Sequence, residues 1–278
     1  MTQPAFVAPG VVTAFCPKPT SHTGVVVMVA AKGDGVVVLD SGMAEPMPDA
    51  LGPALELLGA TTADVRAVLS THGHRDHTGG SRALRDASGA LTYFSADDEG
   101  LAGFAPDVPV TDGDVISSGD LRFEVVTTPG HTAGSVCFYE PTLKLLVAGD
   151  GVQGVGSARK LPVYYESGTR YRASLRKLLA LEIDTLVVGH PLAWRGANTH
   201  VFTGAQCHEL LEDSFAAAEA IRAAVAAVGP HPTPHRAALA VLATSPIFDH
   251  FDPGDPVEED TEATLDSELR DLAGTAVR

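Results

Sequence analysis

Three histidines and a carboxylate fall within six residues in Thr71-His72-Gly73-His74-Arg75-Asp76-His77-Thr78-Gly79-Gly80. Imidazole and carboxylate together suit zinc or another first-row metal. His72 and His74 are two residues apart, so an extended backbone points them the same way. Asp76 and His77 can then face a second point in space, and one loop could serve two neighbouring ions. Three protonated histidines this close would repel one another, whereas a metal binds them neutral. The competing reading is a solvated polar loop, which suits one isolated histidine better than a cluster.

The elements that must position such a loop are also visible. Val65 to Ser70 is an apolar run that reads as a strand and stops at Ser70-Thr71. Val25 to Ala31 and Val36 to Leu39 read as a hairpin around Lys32-Gly33-Asp34-Gly35, ending at Asp40-Ser41-Gly42. Asp40 reads as a turn residue. Leu121 to Thr127 is a strand before Thr128-Pro129-Gly130-His131, where Pro129 and Gly130 favour a tight turn at the strand end. Ser135 to Tyr139 and Lys144 to Ala148 form a strand pair that ends at Gly149-Asp150-Gly151. Asp184 to Val188 is a strand ahead of Gly189-His190-Pro191. Helical spacing appears at Pro48 to Leu58 (with Pro53 inside it), Gly79 to Ala87 and Tyr171 to Leu181. Leu91 to Phe94 is a short strand, and Gln153 to Gly168 is a loop without periodicity.

The cluster resembles the His-x-His-x-Asp-His signature of the metallo-β-lactamase superfamily. His131, Asp150 and His190 match that family's later motifs, in order and each after a strand. The resemblance implies an α/β fold, a four-layer αββα sandwich over roughly residues 5 to 200 with the metals at one edge. The domain division expected from it is 1–200 for the catalytic domain and 201–278 for a C-terminal helical extension. Carried across residue by residue, His72, His74 and His131 would hold one ion and Asp76, His77 and His190 the other. Asp150 would bridge them, and Asp40 would support the metal loop from behind. The implied cofactors are two zinc ions, with iron or manganese as alternatives. A metal can lower the pKa of bound water from 15.7 to about 7, giving a metal-bound hydroxide that attacks a carbonyl. Asp76 is the candidate catalytic residue, orienting that nucleophile.

The bulk numbers bound the partners. The 278 residues are 45% hydrophobic, enough for a substantial core, and carry a net charge of -16. That charge argues against nucleic acid or an anionic membrane as the main partner, and a small-molecule acyl substrate is what the resemblance implies. The three cysteines, Cys16, Cys137 and Cys207, give no disulfide framework. No signal peptide or membrane-spanning stretch is read, so a soluble cytoplasmic protein is expected.

Substrate class is narrowed by comparison within the resemblance. The best-known β-lactamases of this fold often carry Cys where this chain has Asp150. Many acyl-homoserine lactonases carry Tyr where it has Gln153. Glyoxalase-type thioesterases share the ligands and a C-terminal helical region. The leading reading is a metal-dependent hydrolase of a thioester, ester or lactone. The alternatives are a cyclase or thioesterase acting on a carrier-bound polyketide, and a non-hydrolytic metal-binding or redox protein. Diiron relatives often carry Glu in place of His74, which disfavours the redox reading.

The remaining residues take plainer readings. His22, His200, His208, His231, His235 and His250 read as surface or hydrogen-bonded groups. Tyr164, Tyr165 and Tyr171 read as substrate contacts or packing. Residues 1 to 20 carry little signal. Thr203 to Val228 reads as one long helix, broken by Gly229 to Pro234 and followed by a second helix at His235 to Ala243. Asp252 to Thr261 is acidic and expected to be exposed, and Leu265 to Leu272 is a short last helix. These helices could cap the cleft, complete the fold or pair two chains as a homodimer.

Overall fold

The computed structural model describes residues 3–18, 24–33, 35–155, 163–229, 231–248 and 259–275. Its strands form two sheets. The first contains β1 (Ala5–Ala8), β2 (Val11–Pro17), β3 (Gly24–Lys32), β4 (Gly35–Leu39), β5 (Val65–Leu69), β6 (Leu91–Phe94) and β7 (Val108–Pro109), side by side in that order. β1 to β4 pair antiparallel, and β4 to β7 run parallel. The second sheet contains β8 (Val115–Ser118), β9 (Leu121–Thr127), β10 (Val136–Glu140), β11 (Leu145–Gly149), β12 (Thr185–Trp194) and β13 (Ala197–Thr203), again in chain order. All its pairs are antiparallel except β11 with β12.

The valine-rich strands are buried on both faces, which is why they read as near-continuous apolar runs. In β3, Val26 and Met28 face the second sheet, where they share a core with Phe123, Val125, Phe138 and Val147. Their neighbours Val25, Val27 and Val29 point outward, as the two-residue period of a strand requires. They join a second core with Leu51 and Leu55 of α1 (Met47–Leu57). The one-turn α2 (Arg75–Thr78) follows β5 and leads into α3 (Ser81–Ser88), whose Leu84 lies in that same core. Another single turn, α4 (Glu99–Ala102), follows β6.

The outer face of the second sheet is covered by α5 (Gly168–Leu178), α6 (Ala205–Val228), α7 (Pro234–Leu242) and α8 (Glu259–Thr275). Cys137, Leu146, Leu186 and Val188 of the sheet share one core with Leu175, Leu210, Ile221, Leu239 and Leu265 of these helices. The architecture is therefore the expected αββα sandwich, and the C-terminal helices supply most of its last layer. Ser214 of α6 also accepts a hydrogen bond from the Gly154 N–H at 2.9 Å, three residues beyond Gly151.

Several elements differ from expectation. Residues 11–17, read as uninformative, form a strand hydrogen-bonded on both sides by β1 and β3. The strand expected to end at Val188 continues to Trp194. His190 lies inside it, where the ladder to β13 shifts register between Val187 and Leu192. Such a bulge re-aims side chains without ending the strand. Ala197–Thr203 becomes a strand because β12 pairs with it. Pro53 does not limit α1: it lies on the exposed side, where water can reach the Asp49 carbonyl that its missing N–H leaves unbonded. The last helix is described over Glu259–Thr275, with Glu259, Asp260 and Glu262 in the first of its described turns, where acidic groups suit the helix dipole. Thr261, expected to be exposed, is buried. Residues 156–162 of the expected loop, residues 252–258 of the acidic segment, His22 and His250 lie outside the described residues. No described helix is long and apolar enough to cross a membrane.

Candidate metal centre

The site is assembled from strand ends and one bulge. β5 runs into Thr71 and the histidine loop, and α2 then carries Asp76 and His77 on one turn. His131 lies between β9 and β10, Asp150 follows β11, and His190 sits in the bulge of β12. Gly149 has φ of 50°, and a Cβ on it would fall 2.1 Å from Thr71 Oγ1. Only glycine lets the end of β11 lie this close to the end of β5, which brings Asp150 to the loop.

All seven expected residues converge. One ligand atom each from His72, His74 and His131 lie within 4.8 Å of one another, and the same holds for His72, His77 and Asp150, and for Asp76, His77 and His190. His74 Nδ1 is 2.9 Å from His72 Nε2 and 3.1 Å from His131 Nε2. Two nitrogens sharing a tetrahedral zinc lie roughly 3.3 Å apart, so this spacing suits one ion. Asp150 faces both groups: its Oδ2 is 3.6 Å from His131 Nε2 and 3.3 Å from His190 Nε2, and its Oδ1 is 3.5 Å from His77 Nε2. Asp76 Oδ2 lies 3.4 Å from His190 Nε2 and 3.8 Å from His77 Nε2.

The far nitrogens of four rings are fixed by acceptors. His77 Nδ1–H donates to Asp40 Oδ2 at 2.9 Å, His131 Nδ1–H to the Tyr164 carbonyl at 2.8 Å and His190 Nδ1–H to the Gly24 carbonyl at 2.7 Å. Thr71 Oγ1–H donates to Asp40, which leaves its oxygen to accept from His72 Nδ1–H at 3.1 Å. These bonds direct the lone pair of each Nε2 into the cluster. His77 Nε2 is buried and has no hydrogen-bond partner. A buried ring nitrogen without a hydrogen-bond partner is costly, and a cation bound through its lone pair in place of a proton would satisfy it. The residues present therefore fit a metal pair.

Asp40 does more than turn the chain. It has φ of 52°, a left-handed conformation that Asp tolerates better than most residues, and its carboxylate also accepts from the Thr71 N–H at 2.8 Å. Gln153 folds back onto the backbone: its Nε2–H donates to the Asp150 and Tyr164 carbonyls, both at 2.9 Å, and its Oε1 accepts from the Tyr164 N–H at 3.1 Å.

The charges follow from burial and neighbours. Burial lowers the pKa of His72, His74 and His131. Burial also opposes charge on His77, but Asp40, Asp150 and Asp76 outweigh it and raise its pKa to about 9. His190 is raised too, because Asp150 overcomes the effect of burial. Burial pushes the Asp76 carboxyl up, yet His77, His190 and Lys18 bring it down to about 2. Asp150, equally opposed by burial, is held well below the usual carboxylate range by His190, His77 and His131.

The other candidates separate cleanly. Tyr165 and Tyr171 are buried in the core and stack at 5.1 Å. Tyr164 borders the site, its ring 5.2 Å from that of His131 and 6.0 Å from that of His74. His200 bonds Thr13, His231 bonds Thr233 and His235 pairs with Asp266, while His208 is half-buried on α6. Lys18 was not foreseen: its Nζ lies 2.5 Å from Asp76 Oδ2. Nothing local in Pro17-Lys18-Pro19 signals this, because β2 ends beside the site only in the folded sheet.

Known proteins resemble this chain over much of its length. The family model for the metallo-beta-lactamase superfamily matches residues 20–190. A hydroxyacylglutathione hydrolase from Methylobacillus flagellatus is 32% identical over 222 residues, covering 78% of this chain and 80% of that protein. Another from Rhodospirillum rubrum is 36% identical over 155 residues, covering 55% of this chain and 56% of that protein, so the match spans little more than half of that relative. Among solved structures, a metallo-beta-lactamase family protein from Thermus thermophilus superposes with a TM-score of 0.70 at 20% identity, covering 96% of this chain and 95% of the other. A subclass B3 metallo-beta-lactamase of Bradyrhizobium japonicum gives 0.60 at 22% identity, covering 81% and 94%. At these identities the structures speak for the fold alone.

Proposed function

The chain belongs to the metallo-β-lactamase superfamily, and from that premise we propose that it is a dinuclear metal-dependent hydrolase of small acyl thioesters. The observation that carries this reading is the convergence of seven metal-ligand side chains around a buried His77 Nε2 that has no hydrogen-bond partner. His72, His74 and His131 would hold one ion and Asp76, His77 and His190 the other, with Asp150 placed to serve both. Zinc suits the nitrogen-rich donor set best. A metal held there would supply Lewis-acid chemistry, lowering the pKa of a water toward neutrality and polarising the acyl carbonyl.

The chain's own residues do the rest. Asp76 stays ionised down to about pH 2 and accepts a hydrogen bond from the attacking water, orienting it. The water gives one proton to solvent as it ionises, its oxygen bonds to the acyl carbon, the carbon–sulfur bond breaks with its electron pair leaving on the thiolate, and the acid product loses its remaining proton to solvent. A thiol of pKa about 8.5 leaves with little help from a proton donor. That suits a site where Gln153, at the position of the lactonase tyrosine, is committed to backbone. Tyr164 walls the three-histidine side of the cleft. Relatives named hydroxyacylglutathione hydrolase support a hydroxyacyl thioester of a small thiol as the substrate class. The net charge of -16 supports a small acyl molecule over nucleic acid as partner.

The test is elemental analysis of protein purified without chelator, joined to a panel of matched thioesters, oxygen esters and lactones. Two ions per chain are expected, with turnover highest on the thioester, abolished by chelator and restored by zinc. A metal-free sample of full activity would overturn the reading.

A further inference from the structure

We propose that Asp98 is a positioning residue that fixes the three-histidine group, and that its loss releases the ion of that group while sparing the other. The inference rests on the proposed two-ion reading of the cluster.

Asp98 comes from a segment that the ligand motifs do not include. β6 ends at Phe94, Ser95 caps a short 3-10 turn over Ala96–Asp98, and that turn aims the Asp98 side chain inward. The residue is wholly buried, at 0% exposure. Its carboxylate accepts three hydrogen bonds from the two loops that carry the histidines. Oδ2 accepts from the Gly73 N–H at 2.8 Å and the Thr132 Oγ1–H at 2.7 Å, and Oδ1 accepts from the Gly134 N–H at 2.8 Å. Gly73 stands between His72 and His74, and Thr132 directly follows His131.

Every ligand of the three-histidine group is thus within one residue of a donor to the same carboxylate. Among the described residues, the Asp98 carboxylate accepts no hydrogen bond from the segments carrying Asp150 or His190. Asp40 holds His77 from the other side. The fit around Asp98 leaves no slack. A Cβ on Gly73 would lie 2.6 Å from the Asp98 carbonyl oxygen, and one on Gly134 would lie 2.7 Å from its Oδ1. Both loops close down on this side chain. A buried carboxylate is tolerated only when donors compensate its charge, so the three bonds are strongly favoured and hold the loops in register. Asparagine keeps the shape but turns an amide N–H₂ toward at least one donor, which breaks the clamp.

Outer partners of metal ligands typically contribute 10–100-fold to metal affinity. Asp98→Asn is therefore expected to weaken zinc binding by about 10–100-fold at one of two sites. The experiment is zinc equilibrium dialysis on the full chain, with and without Asp98→Asn, in three backgrounds: wild type, His131→Ala and His190→Ala. Circular dichroism normalises each count to folded protein. His190→Ala leaves the three-histidine ion, so adding Asp98→Asn should lower the remaining affinity by the full factor. His131→Ala has already removed that ion, so adding Asp98→Asn should change little. Equal weakening in both backgrounds, or none in either, would overturn the proposal. Should Asp98→Asn fail to fold, Thr132→Val removes one of the three donors, and the same selectivity is expected at smaller size. A wild-type chain that binds no zinc would overturn the two-ion reading itself, and this inference with it.

Discussion

The two ligand groups of the centre occupy one cleft but are prepared for a cation in opposite ways. His72, His74 and His131 are driven toward the neutral form by burial, so their lone pairs stand free at neutral pH. His77 and His190 are embedded among Asp40, Asp76 and Asp150, which outweigh burial and favour their protonated form. An ion bound by the first group would displace no protons. One bound by the second would have to release them, so its affinity would fall as pH drops. The lesson is that a nitrogen-rich group is poised by desolvation and a mixed group by charge pairing.

The strongest way to break this comparison is to remove what the two groups share. Asp150 faces His77, His131 and His190 together. Asp150→Ala should lower kcat by more than the roughly 100-fold that outer-shell changes reach, and should release at least one ion. Asp150→Asn keeps the shape without the charge, so it should retain more structure than alanine while still losing activity. Near-wild-type metal content and turnover in the asparagine variant would reduce Asp150 to a turn residue.

A smaller effect should fall on one group alone. Gln153 braces the Tyr164 peptide whose carbonyl orients His131. Gln153→Ala should cost about 10-fold in affinity for the three-histidine ion, at the low end of outer-shell effects, because the Tyr164 carbonyl itself remains. Dialysis in the His190→Ala background isolates that ion. An unchanged affinity there would show that the brace is dispensable.

The smallest effect is on stability in protein stripped of metal. His77 has a folded pKa of about 9 against an ordinary 6.5. Its contribution is fully present below pH 6.5 and is lost as pH rises toward 9. His72 and His131 are shifted downward, so the unfolded chain takes up their protons first and stability falls below pH 6.5. Tm of the stripped protein should therefore fall by a few degrees on both sides of neutrality, at roughly 2–4 °C per kcal/mol for a chain of this size class. Zinc should flatten both limbs. A stripped protein whose Tm does not vary from about pH 5 to 9 would remove the contrast between the groups.

What was legible in the sequence was local. His72, His74, Asp76 and His77 lie within six residues, so spacing alone declares a shared purpose, and β5 before them is marked by its own apolar run. His131, Asp150 and His190 were legible through the motifs around them, and the hairpin of β3 and β4 through its valines and glycines.

What was not legible depends on partners distant in the chain. β2 is hidden near an end rich in proline and small residues, and exists because β1 and β3 bond both its edges. β13 has strand formers in Thr199, Val201, Phe202 and Thr203, but Asn198 and His200 interrupt them, and pairing with β12 fixes the strand. The Gly24 carbonyl reaches His190 across 166 residues, and the Tyr164 carbonyl reaches His131 across 33. Asp98, in the acidic run Asp97-Asp98-Glu99, looks like solvated surface until folding buries it. Ligand identity is a property of side-chain type, which the sequence states outright. Ligand orientation is a property of hydrogen bonds to backbone and carboxylates, and only the packing of two sheets determines which of those come within about 3 Å.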